Sequence, residues 1–206
     1  MMAGRVPGRL AAYAIALVLS ACASAPVTRF HTLVPAEPAQ PAAASASAVS
    51  WELLPVDIPV QVSRPQLVVR LADDTLAVLE HDRWIAPLDD DLHTALGERL
   101  ATRLGPPAPV TADASTAAAA HWRIDVQVLR FDSEANRYAR LTTDWTIRGK
   151  TASLSCRTTI EESVTAESVT AIVRAHQRVV GRLADAMAVA LGGMVRGDVV
   201  TCPSAK

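Results

Sequence analysis

The stretches WRIDVQV (residues 122–128), LTTDWTI (141–147) and ASLSCRTTI (152–160) decide the fold of this chain. Apolar and polar side chains alternate in each of them, which is the pattern of a strand with one buried face. Asn136-Arg137 and Gly149-Lys150 separate the three segments and supply turns. Three alternating segments joined by short turns predict an antiparallel meander with one face covered.

Two helices are predicted to cover that face. Residues 90–104 carry leucines at helical spacing, and the aspartates at 89–91 are expected to cap the positive end of this helix. Residues 166–191 carry a second apolar stripe, and Gly192-Gly193 is expected to end it. His176 lies on this stripe, and we interpret it as a core histidine bonded to a strand carbonyl or side chain.

Shorter strands are predicted upstream of the meander. They lie at residues 29–33, as an edge strand, at 51–60, broken by Pro55 and Pro59, and at 66–71 and 75–80, with a turn at His81-Asp82-Arg83. The sequence therefore predicts a single α+β domain, with a largely antiparallel or mixed β-sheet and two main α-helices packed on it.

The N-terminus has the pattern of a bacterial lipoprotein signal. Arg5 and Arg9 precede an apolar run at residues 10–19, which is too short for a comfortable membrane span and is typical of a secretion signal. The run ends in Leu-Ser-Ala-Cys, a lipobox whose cysteine, Cys22, is expected to receive a diacylglycerol and, on its freed amine, a fatty acid such as palmitate. Several acyl chains make a durable anchor where one alone does not. Ala23, where an aspartate would favour inner-membrane retention, favours the outer membrane facing the periplasm.

These signals divide the chain into three parts. Residues 1–21 are the predicted signal peptide, 22–50 the acylated cysteine with a short strand and an Ala/Pro/Ser-rich flexible segment, and 51–206 the α+β domain. Two tether lengths stay open. If Phe30 belongs to the folded domain, the tether reaches about 24 Å and the domain sits against the membrane; if folding starts at Trp51, its span is about 30 Å.

Charge and motifs exclude several function classes. Removing residues 1–21 leaves 18 basic against 21 acidic residues, a net charge of about −3 that argues against nucleic-acid binding. The sequence has no Gly-x-Ser-x-Gly elbow or Gly-rich phosphate loop, and its five histidines have no metal-binding spacing. We therefore predict no catalytic residue, no metal site, no cofactor and no enzymatic activity.

The two remaining cysteines allow two interpretations. Once Cys22 is acylated, Cys156 and Cys202 are left as a pair in an oxidising compartment. A disulfide between them would tie the C-terminal tail to the domain. The alternative is two unrelated thiols, one buried and one on a loose end.

Three arginines recur at intervals of four on the last predicted helix, at Arg174, Arg178 and Arg182. Like charges at this spacing disfavour a helix by about 0.2–0.5 kcal/mol per pair, and Asp185 is expected to offset one of them. Two interpretations remain: a solvated face, or a contact with an acidic partner or with lipid headgroups.

Several short stretches together resemble a known family. They are RFHTL (29–33), DIPV (57–60), RPQLVVR (64–70), WIAPL (84–88), HWR (121–123), RFD (130–132), DWTI (144–147) and IVRAH (172–176). With the lipobox, they resemble the ABC-type transport auxiliary lipoproteins, the PqiC-like component of Mce-type lipid transport systems.

The resemblance implies a non-catalytic role at the outer membrane. Its expected partners are the membrane, through acylated Cys22, an Mce-domain protein and a permease–ATPase pair that moves lipids or other hydrophobic substrates between membranes and supports envelope integrity. A homo-oligomer is compatible with this role. A second hypothesis is a periplasmic lipid-binding carrier that holds an acyl chain between sheet and helix, although the low aromatic content of 4% weakens it.

Overall fold

One mixed sheet carries both helices in this structure, a computed structural model that describes residues 27–36, 49–107 and 121–203. The elements, in chain order, are β1 (Arg29–His31), β2 (Trp51–Leu53), β3 (Gln66–Arg70), β4 (Leu76–Trp84), α1 (Leu88–Leu104), β5 (Trp122–Glu134), β6 (Tyr138–Arg148), β7 (Ser153–Ser163) and α2 (Val169–Arg196). The predicted α+β class, with two main helices on one sheet, is confirmed.

The strand order is β1-β4-β3-β5-β6-β7, and β2 lies beside the first half of β5. The pairs β3–β4, β5–β6 and β6–β7 are antiparallel, whereas β1–β4 and β2–β5 are parallel. Val126, Trp145 and Cys156 form one cross-strand row, all with buried side chains. The alternation seen in the sequence thus marks the core face of the predicted meander.

Both helices lie on that core face. α2 packs on β6 and β7, and α1 packs on α2. The space between the layers is filled by large buried side chains, among them Trp51, Trp145, Leu92, Ile147 and Leu183. The indole Nε1 of Trp145 donates to Thr158 Oγ1 at 2.9 Å, so the ring is both packed and hydrogen-bonded.

The second helix is longer than the sequence predicts. It begins after Ser168, whose side chain accepts a hydrogen bond from the Ala171 amide, and it continues through Gly192-Gly193. The glycine pair does not end the helix; a Cβ on Gly193 would lie 2.7 Å from Val200 Cγ2, so the small residue lets the C-terminal tail pack closely. The helix ends at Gly197, which has φ +80°.

Two of the upstream strand predictions are wrong in extent. β2 has only three residues, and beyond the predicted break at Pro55 the pairing resumes only as a bridge at Asp57. β4 continues through His81-Asp82-Arg83, where a turn was predicted. The polar triplet stays in the strand because the buried Asp82 is paired with side chains of β1.

The outer edge of β7 is partly covered by groups from other elements. Arg178 Nη2 donates to the Ser163 carbonyl at 3.2 Å, and Arg182 Nη1 donates to the Glu161 carbonyl at 3.3 Å. The C-terminal tail reaches the same strand through Cys202, which is bonded to Cys156. An exposed strand edge is a template for pairing with another chain, so these contacts reduce what the edge offers.

Candidate functional site

The N-terminal strand joins the sheet through one buried carboxylate. Arg29 Nε and Nη2 each donate to Asp82 at 2.9 Å, and His31 Nε2 lies 2.8 Å from Asp82 Oδ1. Burial raises the pKa of Asp82, but the hydrogen bonds from Arg29 and His31 outweigh it, so the pKa is lowered. The carboxylate therefore stays charged and holds β1 on the sheet at neutral pH.

A second carboxylate fixes the chain immediately after β1. Asp91 accepts from the Thr32 hydroxyl and from the Leu33 amide, both at 2.8 Å. Burial raises the pKa of Asp91 despite these two hydrogen bonds. The sequence predicted that Asp91 caps its own helix. Its side chain instead binds the N-terminal segment to α1.

These contacts make Phe30 part of the folded domain, which is the first of the two alternatives for the tether. Leu33 is fully buried, and Gln177 Nε2 on α2 donates to the Thr32 carbonyl at 2.9 Å. The folded unit therefore begins at β1, well before the boundary predicted at residue 51. Cys22 and the rest of residues 1–26 lie outside the described residues, but Cys22 is only seven positions before Arg29, so an extended chain between them reaches at most about 24 Å.

Two of the three predicted α2 arginines have partners within the chain. Arg178 Nε and Arg182 Nη1 donate to opposite oxygens of Glu162, at 3.0 and 2.7 Å. Burial raises the pKa of Glu162, but the hydrogen bonds from Arg182 and Arg178 lower it by more, so the net shift of the pKa is downward. Within the described ranges, the exposed Arg174 has no ion-pair partner, so a contact with an acidic partner or headgroups stays a prediction for this residue.

Asp185 binds arginines of α1 rather than the predicted arginines of its own helix. It was expected to offset Arg182; instead it accepts two hydrogen bonds from Arg99, at 2.8 and 2.6 Å, and two from Arg103, at 2.8 and 3.1 Å. Burial raises the pKa of Asp185, and the bonds from Arg99 and Arg103 outweigh it and lower the pKa. This bidentate pairing ties α1 to α2.

These ion pairs line an open groove between α1, α2 and the segment after β1. Its volume is about 820 Å³. The apolar part of the wall includes Leu33, Ala95 and Val173, whereas Glu162 and Asp185, with their arginine partners, form the charged part. The groove is therefore a charged surface depression over a filled core. Two of its carboxylates, Glu162 and Asp185, are paired with arginines, and Glu98 also lines it.

A smaller groove lies on the opposite, uncovered face of the sheet. Its volume is about 300 Å³, and Val62, Val68, Leu76 and Leu129 contribute apolar walls. At one side Asp132 accepts from Arg130 Nε at 2.7 Å, from the Tyr138 hydroxyl at 2.9 Å and from Arg70 at 3.4 Å. Burial raises the pKa of Asp132, but the bonds from Arg130 and Tyr138 lower it overall.

The cysteine pair ties the C-terminal tail to β7. The structure joins Cys156 and Cys202 in a disulfide with their Cα atoms 5.5 Å apart. Cys156 is buried on the core face of the sheet, whereas Cys202 is exposed. The bond thus closes a segment that contains all of α2.

A buried histidine lies between α2 and the sheet. The ring of His176 stacks on Phe131 at 4.1 Å between centroids, with Trp84 edge-on at 6.5 Å. The prediction of a core position is met, but the predicted hydrogen bond is not found: Nδ1 is buried with no partner among the described residues. Burial lowers the pKa of His176 to about 3, against a smaller opposing effect of Asp132, so the ring is neutral in the folded protein.

This burial predicts a pH-dependent stability. His176 is protonated below pH 6.5 in the unfolded chain but stays neutral in the folded protein down to about pH 3. Its titration therefore has no effect on the free energy of unfolding at pH 7, and that free energy falls as the pH decreases from 6.5 toward 3. We expect this side chain to contribute a slope of about 1.4 kcal/mol per pH unit in the free energy of unfolding. His176→Gln, which cannot titrate, should remove that slope in urea titrations at pH 7, 6, 5 and 4.5. Parallel curves for the two proteins would contradict the assignment.

Residues 27–36, 49–107 and 121–203 contain no group of three or more histidine, cysteine, aspartate or glutamate side chains arranged to hold a metal ion. Neither α1 nor α2 is long and apolar enough to cross a membrane.

Comparison with known proteins places this fold. A family model described as the ABC-type transport auxiliary lipoprotein component matches residues 31–188. The match runs from the end of β1 through most of α2. The chain belongs to this family. As an ABC-type transport auxiliary lipoprotein component, it has the membrane-anchored location in the cell envelope that a lipoprotein has.

Two solved structures share the fold of this auxiliary component. One, described only as an uncharacterized protein, has a TM-score of 0.64 and 14% identity, and the alignment covers 80% of this chain and 99% of the other. A Xanthomonas campestris protein of the family DUF330 has a TM-score of 0.58 and 16% identity, with 84% and 97% covered. No curated protein matches the chain.

The sequence missed the residues that hold the N-terminal segment and the helix pair in place. Asp82, Asp91, Glu162 and Asp185 all act over long sequence separations. Acidic residues in a predicted turn or at a helix start carry no local signal of a distant arginine or amide partner. Only the apolar pattern around them could have indicated burial.

Proposed function

We propose that the protein is a non-catalytic lipoprotein component of an Mce-type ABC transport system, anchored in the outer membrane through acylated Cys22 and facing the periplasm. It would act as an adaptor for an Mce-domain protein and a permease–ATPase pair that move lipids or other hydrophobic substrates between the membranes. The observation that carries this proposal is a family match over residues 31–188 that begins nine positions after the lipobox cysteine.

The structure supports an adaptor over a chemical or storage role. Two carboxylates of the larger groove, Glu162 and Asp185, are neutralised by arginines of the same chain, so neither is the free group that a general acid or base needs. The short chain between Cys22 and β1 would keep the domain near its anchor, where it can hold a partner close to the outer membrane.

Recovery of the transport partners tests the adaptor proposal. The full-length protein with a C-terminal tag would be cross-linked in intact cells, extracted from the envelope in detergent and purified. We expect an Mce-domain protein, a permease and an ATPase to be recovered with it, and a deletion strain to become more permeable to detergents. Recovery of none of these proteins, with unchanged permeability, would refute the adaptor role.

The alternative, a periplasmic lipid-binding carrier, has weaker support. The space between sheet and helices, where an acyl chain was expected to lie, is filled by side chains such as Trp145 and Leu183. Native mass spectrometry of the Cys22→Ala protein distinguishes the two roles, because this variant carries no acyl chain of its own. A bound phospholipid in its mass would favour the carrier.

A further inference from the structure

Two exposed apolar residues lie on neighbouring segments at the sheet edge that β1 forms. Phe30 on β1 is 59% exposed, and Ile85, directly after β4, is 61% exposed. Val27, two positions before β1, is also exposed. Leu33, three positions after Phe30, is by contrast fully buried.

Phe30 and Ile85 lie on the same side of the sheet. Phe30 is paired with Arg83 and His31 with Trp84, and the Ile85 amide donates to the His31 carbonyl at 2.8 Å. Trp84 is buried on the core face, so the alternation of a strand turns Phe30 and Ile85 to the uncovered face. The strand spacings place them about 8 Å apart. With Arg83, which the same register places between them, they form one small surface, which we call the β1 surface.

The chain upstream of β1 determines what the β1 surface can meet. Eight positions separate Cys22 from Phe30, so Phe30 lies within about 27 Å of an acylated Cys22 even when the chain is fully extended. A flexible chain of that length has a typical span of about 16 Å. The anchor therefore brings this edge, and not the far ends of the helices, to the bilayer.

We propose that the β1 surface is a second membrane contact, in which Phe30 and Ile85 insert at the interface of the phospholipid bilayer that holds Cys22. An aromatic ring and an aliphatic side chain on a rigid edge are suited to this position, because the apolar parts enter the acyl boundary while the backbone stays paired in the sheet. The contact would fix the orientation of the domain and leave α1 and α2 accessible to partners. This inference rests on the acylation in the proposed function.

Tryptophan fluorescence can test the contact. The four native tryptophans, at positions 51, 84, 122 and 145, are buried, so an added exposed tryptophan reports on its own surroundings. Full-length Phe30→Trp and Ile85→Trp, purified from the native host, would be reconstituted into phosphatidylethanolamine–phosphatidylglycerol vesicles, with and without bromine on the acyl chains. Val189→Trp is the matched control, because Val189 is 74% exposed but lies twelve residues, about 18 Å, along α2 from Gln177, which binds the segment after β1.

We expect brominated lipid to quench the added fluorescence of Phe30→Trp and Ile85→Trp at least twofold more than that of Val189→Trp. Equal quenching at all three positions would overturn the inference. It would indicate that the β1 surface contacts a protein or stays in solvent. Flotation of the same vesicles reads the anchor separately: protein that floats without quenching refutes only the β1 contact, whereas protein that does not float refutes the acylation and the contact together.

Discussion

Replacing Cys22 with alanine is expected to transfer the protein from the membrane fraction to the soluble periplasmic fraction, with loss of function. The variant would carry an ordinary cleavable secretion signal in place of residues 1–21, so that export does not depend on the lipobox. The domain should fold unchanged, because its contacts begin at β1, after the exchanged segment. The expected effect is nearly complete, since the acyl chains on Cys22 would supply the durable anchor.

Cell fractionation and intact-mass measurement of protein from the native host check this result. Cys202→Ser is the matched control: it also removes a cysteine but leaves Cys22 in place, and it should stay in the membrane fraction. A Cys22→Ala protein that remains membrane-bound after carbonate washing, or a wild-type N-terminus without added hydrocarbon mass, would contradict the anchor.

Loss of the link between Cys156 and Cys202 is expected to be the largest stability change accessible through an exposed position. The two residues are 46 positions apart, and closing a loop of that length lowers the entropy of the unfolded chain by an amount worth about 4 kcal/mol. Cys202→Ser is preferable to a change at Cys156, because Cys202 is exposed and its replacement leaves the core intact. The melting temperature should fall by about 8–16 °C.

Reductant provides the internal comparison for this prediction. Wild-type protein treated with reductant should have the same melting temperature as the Cys202→Ser variant, and reductant should not change the melting temperature of the variant. Identical melting of the wild-type protein with and without reductant would show that the two thiols are free in the purified protein, which was the alternative interpretation of the sequence.

The layered fold could be predicted from the sequence because its signals are local. Period-two alternation around Val126, Trp145 and Cys156 and the apolar stripe of α2 repeat over many residues, and each repeat points to the same buried face. The turn at Asn136 was also visible, since asparagine tolerates the positive φ of 57° found there.

Features that depend on distant partners could not be predicted in the same way. His81-Asp82-Arg83 has the composition of a turn but pairs as strand with β1, where Arg29, more than fifty residues earlier, binds Asp82. Likewise, Asp185 has Arg182 as its obvious neighbour in sequence and binds Arg99 instead. Short-range patterns carry no information on which of several cations is closest in space.

The covered edge of β7 has a consequence for crowding. Lipoproteins on one leaflet diffuse in two dimensions and collide far more often than the same number of molecules in solution. A long unpaired strand edge would let neighbouring copies pair edge to edge in those collisions and form a continuous sheet. Because Arg178, Arg182 and the disulfide-held tail already occupy parts of that border, copies packed densely on the membrane should stay separate there, and any specific multimer must form through another surface.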